Sequence, residues 1–494
     1  MAVRRDDLTG DERADIALRC WAARGKRAGR VQELAEEYHI SRQSVNNIER
    51  KGRARLSEIL KPGHHGPRPP SHSIEVTPEQ LRRSCVVLTE VGVSQRDISF
   101  CLAEILGRGM SPAWVNAELA KLEELAAAVN QAWQPQMQET LSGDEIYANG
   151  QPNLLVVGND TLYIYRLSRQ AECDGETWGC ILLELPDMPQ FASDGGTGLG
   201  AGAKEAGLKV HQLDWDHLLR PLWGQVSRLE EQAYAALTAV EERATKFEQA
   251  RTPGRLQQHL KVWEKLVVKA EEKVARYDAF YQIARQVDDW FALIDLKSGQ
   301  LRNPEEGSQC LRQLGQQLEQ WEGGIYQKLS RNLNSFATGL FSYQPVLAQA
   351  LSPLVERWGT QAIEALSRLW QIEADEKRQP ASVLQQQSRQ ELWAKSLDDA
   401  LSFLEAEEQL WAAWDALGDV LSRSWRGSML AECVNSLLRP ILDGRKHTDQ
   451  GCLELFRFLH NVRPFQRGKR AGKSPAQLAN LHVPDDPLTL LGLA

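Results

Sequence analysis

The stretch FASDGGTGLGAGAKEAG (191–207) holds residues suited to two different chemistries. Its 196–201 segment matches the GxGxxA pattern with which a helix N-terminus binds the pyrophosphate of a dinucleotide, and Asp214 follows 18 residues beyond the first glycine, close to the offset of a ribose-binding acid. Asp194 instead ends a short apolar run, where a carboxylate can bind a divalent cation for phosphodiester cleavage. The residues around this stretch decide between the two.

Further acidic residues favour metal-dependent phosphodiester cleavage over dinucleotide binding. Asp144 lies in a predicted strand next to Glu145, and strand alternation places these two side chains on opposite faces, so that only one of them can serve. Glu432 follows Asp194 by 238 positions and lies on a predicted helix, one turn before Asn435. Three such carboxylates can hold two Mg²⁺ ions, for which Mn²⁺ can substitute. We therefore predict that Asp144, Asp194 and Glu432 are catalytic and bind the metal.

The pattern after residue 138 predicts elements that position these carboxylates. Three β-rich runs, ETLSGDEIYANG, NLLVVGND and TLYIYRLSRQ, are separated by Asn, Gly and Asp turns and predict antiparallel strands. A helix, a strand ending in FASD, a second helix and a fifth strand follow. This order is that of a ribonuclease H-like domain. A dinucleotide-binding glycine pattern should instead open the first βαβ unit of a parallel sheet, which disfavours that alternative.

Three segments resemble the acidic-triad (DDE) transposases of bacterial insertion sequences: DEIYANGQPNLLVV, FASDGGTG and AECVNSLLRPILDGRKHTDQGCLELFRFLHNVRPFQRGKRAGKSPAQL. The resemblance covers about 138–220 and 425–480. It implies a DNA transposase that binds the terminal inverted repeats of a transposon and catalyses Mg²⁺-dependent hydrolysis and strand transfer into target DNA, as a homodimer or larger assembly. The long helical block between Asp194 and Glu432 departs from many members, whereas others carry an all-helical insertion there.

Residues 8–60 predict a helix-turn-helix. A helix with Val31 and Leu34 inward is followed by a turn, and Ser41 is a natural N-cap for a second helix. Polar residues near the start of that helix can reach bases or phosphates. We predict DNA contacts from Arg42, Gln43, Ser44, Asn46 and Asn47. The alternative is an ordinary helical hairpin with a solvated polar face.

A related pattern in 77–137 begins with the capping sequence Thr77-Pro-Glu-Gln. It predicts a second helix-turn-helix-like module, with Asn116 and Lys121 directed outward toward DNA. A purely structural or dimerising hairpin is the alternative.

The net charge of −8 is unevenly distributed. Residues 1–60 carry a net charge of +3, and residues 439–473 carry 9 Lys and Arg against 3 Asp and Glu. Basic ends around an acidic centre are compatible with a double-stranded DNA partner. The predicted DNA contacts of the C-terminal region are Asn435, Arg439, Arg445, Lys446, His447, Arg463, Arg467, Lys469, Arg470 and Lys473. A solvated basic face is the alternative.

The fold class predicted for the 494 residues is multidomain, α and α/β. The predicted segments are a helix-turn-helix domain (1–60), a Pro-rich linker (61–76), a second helical DNA-binding domain (77–137), the first part of a ribonuclease H-like core (138–220), an all-helical insertion (221–424), the second part of the core with a basic tail (425–480) and a C-terminal tail (481–494). Asp214 and Asp216 follow the fifth strand, and Asp216 is predicted to cap the next helix.

The composition of the chain indicates its cellular environment. The eight cysteines show no CxxC and no zinc-ligand spacing, which predicts a reducing environment. No apolar run approaches the ~20 residues that span a bilayer, and the charged N-terminus is unlike a signal peptide. We therefore predict a cytoplasmic, nucleoid-associated bacterial protein with no membrane partner. The alternative to an active transposase is a DNA-binding protein that has lost catalysis.

Overall fold

The computed structural model describes residues 8–22, 27–59, 76–107, 109–135, 138–249, 251–378, 383–404, 407–444 and 448–493. The predicted linker at 61–76 lies almost wholly outside the described residues, and so do the predicted DNA contacts Arg445, Lys446 and His447. The chain divides into two compact units, Met1–Glu75 and Val76–Ala494.

The described residues are mostly helical and contain one five-stranded sheet. The strands are β1 (Leu141–Ala148), β2 (Gln151–Gly158), β3 (Ile164–Arg169), β4 (Phe191–Ser193) and β5 (His211–Leu213). The helices before and within the sheet region are α1 (Gly10–Ala22), α2 (Arg27–Glu37), α3 (Arg42–Ile59), α4 (Pro78–Glu90), α5 (Gln95–Leu106), α6 (Pro112–Ala132), α7 (Gly175–Leu183) and α8 (Thr197–Glu205). The later helices are α9 (Trp215–Glu248), α10 (Pro253–Asp289), α11 (Pro304–Glu319), α12 (Gly324–Phe336), α13 (Gln344–Trp358), α14 (Thr360–Arg378), α15 (Val383–Phe403), α16 (Glu407–Ser422), α17 (Met429–Gly444), α18 (Gln450–Val462) and α19 (Pro475–Leu478).

In the first unit, α1, α2 and α3 pack around a small apolar core that includes Ile16, Leu34 and Val45. The turn before α3 has a positive φ at His39, and Ser41 Oγ accepts a hydrogen bond of 3.0 Å from the Ser44 amide. The predicted helix, turn and N-cap are therefore confirmed, because each depends on local sequence that the fold does not override.

The sheet of the second unit has the strand order β3-β2-β1-β4-β5. β1, β2 and β3 are antiparallel neighbours, whereas β4 is parallel to both β1 and β5. The β1–β2 hairpin turns at Asn149 and Gly150, both with positive φ, as Asn-Gly favours in a two-residue hairpin. The three predicted antiparallel strands and the predicted helix-strand-helix-strand continuation are confirmed.

Helices cover both faces of the sheet. α17 and α18 pack on the face that carries Ile146, Leu155 and Leu167, while α7, α8 and α19 pack on the opposite face around Trp178 and Phe191. Alternate residues of β1 therefore point toward different helices, which decides where its acidic side chains go.

The helices of the predicted second DNA-binding domain share a core with the C-terminal region. Leu102 of α5 and Leu119 of α6 are buried together with Phe458 of α18. The predicted capping box at Thr77 is present and begins α4. α6 packs directly on α18, and α4 and α5 pack on α6, so the described helices of this segment share one apolar core with α18.

The described residues between β5 and α17 are mostly helical and form two apolar cores. α9 to α12 pack around Phe280 and Leu314, and α13 to α16 pack around Leu366 and Ala413. The predicted boundary at 220/221 falls within α9, which runs without a break from the end of β5 into the first of these cores. Among the described helices, none has the length and apolar character needed to cross a lipid bilayer.

Candidate active site

Asp194 lies in the tight connection between β4 and α8. Its Oδ1 accepts a hydrogen bond of 2.8 Å from the amide of Gly196, and Gly195 has a φ of 82°, a conformation that favours glycine. Two glycines therefore turn the chain from the strand end into the helix and hold the Asp194 carboxylate at the edge of the sheet.

The third glycine of this stretch has a packing role. A side chain at Gly198 would overlap the carbonyl oxygen of Cys173, which precedes α7. The space left by its missing side chain is thus filled by protein backbone, as close helix packing requires.

Asp144 is brought to the same edge by strand register. β1 pairs with β4 at Leu141 and Ser142 only, and the same register continued by two residues brings Asp144 level with Asp194. Asn435 Nδ2 of α17 donates a hydrogen bond of 2.8 Å to Asp144 Oδ2, and the amide of Glu145 donates to Oδ1 at 2.9 Å. Both carboxylate oxygens of Asp144 are thereby oriented.

Asn435 was predicted to contact DNA, and the structure places its side chain against Asp144. Its side chain is buried, and its amide group is directed at Asp144. Asn435 lies on the side of α17 that packs against β1 and β2, whereas Glu432, one turn earlier, remains partly exposed.

The acidic residues form one electrostatic cluster. Burial raises the pKa of Asp144 to about 6, with further contributions from the charges of Asp194 and Glu432, against the opposing effect of the Asn435 hydrogen bond. Burial also raises the pKa of Glu145 to about 7, and the charges of Asp194 and Asp144 add to this effect. Carboxyl groups that interact in this way favour either a proton or a cation between them.

Glu145 belongs to this cluster, although strand alternation led us to expect that only one of the β1 acids could serve. The two side chains do take opposite faces: Asp144 meets α17, whereas Glu145 lies near the N-terminus of α8. Because β4 ends at Ser193, both faces of β1 open onto Asp194 beyond that point. The local sequence pattern did not predict that Glu145 would lie at the same site as Asp144.

Glu432 lies in the first turn of α17, where two basic side chains of α9 face it. His217 Nε2 is 3.9 Å from Oε1, and an Arg220 guanidinium nitrogen is 3.8 Å from Oε2. The Asp214 carboxylate, 3.4 Å from Nδ1, raises the pKa of His217 against the effect of burial, and the charges of Asp194 and Glu432 act in the same direction. Sequence reasoning did not identify His217 or Arg220.

Asp214 is a structural residue of this region. Its buried side chain accepts hydrogen bonds from the amides of Asp216 and Ser428 and from the Ser428 hydroxyl. The N-cap of α9 is thus Asp214, and the prediction of Asp216 for that role was wrong. Burial acts to raise the pKa of Asp214, but the contacts with His217 and Ser428 outweigh it and hold the pKa below its ordinary value.

The site offers oxygen atoms of the kind that a hard divalent cation takes as ligands. Within the described part of the chain, Glu145 Oε2 and Asn435 Oδ1 are buried without a hydrogen-bond partner. Oxygen atoms of this kind, beside carboxylates that repel one another, fit Mg²⁺ or Mn²⁺. As the side chains stand, the described residues contain no group of three or more His, Cys, Asp or Glu close enough together to hold a metal ion.

The predicted DNA contacts of the first unit lie at the start of α3. Arg42, Gln43 and Asn46 are exposed, and Ser44 and Asn47 are half-buried. Asn46 Nδ2 bonds the Arg42 carbonyl, so part of its capacity is used within the helix.

Asn116 and Lys121 are exposed on α6, as predicted. Each has a neighbour on the same surface: Asn116 Oδ1 accepts from Gln95 at 2.8 Å, and Lys121 pairs with Glu118 at 2.7 Å.

In the C-terminal region, Arg439, Arg467, Lys469 and Lys473 are exposed. Arg463 is also exposed and forms an ion pair of 2.8 Å with Glu90.

Arg470 differs from these, because its guanidinium donates to the carbonyl oxygens of Asn159 and Asp160 at 2.8 and 2.7 Å. These hydrogen bonds link Arg470 to the loop after β2 and leave fewer of its N–H groups free to bind a ligand.

No model of a known protein family matches the chain, and no curated protein matches it.

Proposed function

We infer that the chain is a DNA transposase of the acidic-triad type, with Asp144, Asp194 and Glu432 as its catalytic, metal-binding residues. One observation carries this inference: the β1–β4 register and the hydrogen bond from Asn435 to Asp144 bring Asp144, Asp194 and the helix of Glu432, which are far apart in sequence, to one edge of the sheet. The strand order β3-β2-β1-β4-β5, with three antiparallel strands and two parallel ones, supports a ribonuclease H-like domain around these carboxylates.

The residues around the three carboxylates have separate roles that suit phosphodiester cleavage. Two bound Mg²⁺ ions would activate the attacking oxygen and stabilise the leaving oxygen of an in-line displacement. Asn435 and the Glu145 amide orient Asp144. Glu145, with a pKa of about 7, takes up a proton near neutrality when no cation is bound.

The glycine-rich turn fits this function better than dinucleotide binding. The carboxylates of Asp194 and Glu145 both lie within about 4 Å of where a Gly196 side chain would begin, at the N-terminus of α8. A pyrophosphate at that helix end would meet two negative charges instead of free amide groups.

DNA binding is proposed for the exposed polar start of α3 and for the exposed cations Arg439, Arg467, Lys469 and Lys473. The substrate would be the inverted repeats with their flanks and a target duplex. Two ends must be paired, so we expect a homodimer or larger assembly, in the bacterial cytoplasm. The helical block between β5 and α17 would be an insertion domain.

The experiment uses purified full-length protein, Mg²⁺ and an end-labelled duplex that carries the inverted repeats flanking its gene. We expect the wild type to cut and join this DNA and Asp194→Asn to bind it without cutting. Asp187→Asn is the matched control, because Asp187 is exposed in the loop before β4. Cleavage that persists in Asp194→Asn would refute the triad, and binding without cleavage by the wild type would favour a DNA-binding protein that has lost catalysis.

A further inference from the structure

The helix that carries Glu432 is anchored to the start of α9. Ser428, directly before α17, donates hydrogen bonds of 2.9 Å to Asp214 Oδ2 through both its amide and its hydroxyl group. Gly427 allows this contact, because a side chain there would lie 2.6 Å from Asp214 Oδ1. The first turns of α9 and α17 are therefore fixed relative to each other through one buried carboxylate.

This anchor sets the two oxygens of Glu432 against two basic groups. Oε1 is 3.9 Å from His217 Nε2, and Oε2 is 3.8 Å from the Arg220 guanidinium, which also pairs with Asp216. The Arg220 side chain is 64% exposed and that of Glu432 is 37% exposed. Ion pairs this long and this exposed contribute little to stability, so their effect lies in the charge balance of the site.

The negative charges of the site require a positive counter-charge. Asp144, Glu145, Asp194 and Glu432 bring up to four negative charges to one edge of the sheet. In the part of the chain that the structure describes, the ion pairs of Glu432 are those with His217 and Arg220. Of these two, the Arg220 guanidinium is charged at every working pH.

We propose that Arg220 is a built-in counter-cation of the acidic cluster, which a divalent cation displaces from Glu432 when it binds. This inference rests on the proposed function, which requires the cluster to bind such a cation. Arg220 acts through Glu432 and is therefore a positioning residue. It holds the carboxylate toward α9 until a cation competes for it, and it weakens cation binding by the work needed to break the pair.

The test measures Mn²⁺ affinity of the full-length chain without DNA, by calorimetry and by the electron paramagnetic resonance of free Mn²⁺. We expect Arg220→Gln to tighten binding about threefold or more, as the loss of one nearby positive charge requires. Arg220→Lys keeps the charge and should stay close to the wild type. Arg228→Gln is the control, because this exposed arginine lies eight residues later on α9. That spacing is about 12 Å, beyond the ~10 Å screening length at 0.1 M salt.

The second part of the experiment is a double-mutant cycle that measures the coupling between Arg220 and Glu432. The gain from Arg220→Gln should shrink in a Glu432→Gln background, because the part that comes from breaking the Arg220–Glu432 pair is already absent there. Unchanged or weaker Mn²⁺ binding by Arg220→Gln, or an equal gain from Arg228→Gln, overturns the proposal. If the wild type and Asp194→Asn bind Mn²⁺ alike, the proposed metal site itself fails. If they differ while Arg220→Gln does not, only the counter-cation is refuted.

Discussion

Glu145→Gln should stabilise the metal-free protein at neutral and alkaline pH. Folding raises the pKa of this carboxyl group from its ordinary value of 4.5 to about 7, mainly through burial and then through Asp194 and Asp144. Ionised Glu145 therefore opposes folding. A shift of that size corresponds to about 3 kcal/mol. We expect the amide to recover about 2 kcal/mol, because it removes the charge but remains a buried polar group.

The pH dependence of this gain follows from the direction of the shift. Below about pH 4.5 the group is protonated in both the folded and unfolded states, so the substitution brings no advantage. Between 4.5 and about 7 the folded state binds more protons than the unfolded state, and wild-type stability falls as pH rises. The advantage of Glu145→Gln should grow through this window and then remain constant.

The assay is thermal and urea unfolding of the full-length chain with a chelator, at pH 4 and pH 8. Glu139→Gln is the matched control: its buried carboxylate accepts hydrogen bonds from the amides of Asp160 and Thr161, the Thr161 hydroxyl and the Tyr165 hydroxyl. Burial raises the pKa of Glu139 as well, which by itself would favour the amide. Its substitution should nevertheless give a smaller gain at pH 8 than Glu145→Gln, or a loss, because an amide cannot accept all four hydrogen bonds. A Glu145→Gln protein no more stable than the wild type at pH 8, or one with the same gain at both pH values, would refute the reasoning.

Three further predictions concern the surroundings of the site. Asn435→Ala should raise the pKa of Asp144 further, because it removes a hydrogen bond that lowers it, and carboxyl ¹³C titration by NMR should detect the change. Phe458→Ala should cost about 3–5 kcal/mol in chemical denaturation, since this ring is fully buried in the core that α18 shares with α4, α5 and α6, whereas Phe100→Ala on the exposed surface of α5 should cost little. Gly198→Ala should lower the melting temperature, because its side chain would overlap the Cys173 carbonyl. Gly200→Ala, two residues later in open space, should leave it unchanged or raise it; equal effects of the two would contradict the packing role.

Much of the local structure could be predicted from the sequence. The Asn149-Gly150 hairpin, the capping box at Thr77 and the cap at Ser41 are each specified within a few residues, and the structure has all three. The strand and helix order around FASDGGTG was also readable, because apolar alternation and turn residues mark each element. Domain limits were less accessible, because the predicted boundary at 220/221 falls within α9.

The sequence by itself determined which residue types were available for a metal-dependent site and which elements carry Asp144, Asp194 and Glu432. Only the tertiary structure decided what surrounds them. It joins Asp214 to Ser428, sets His217 and Arg220 against Glu432, and turns Asn435 into the partner of Asp144. The physical reason is range: strand periods and helix caps act over a few residues, whereas the charge, burial and hydrogen bonding of a side chain depend on neighbours that folding brings from more than 200 positions away.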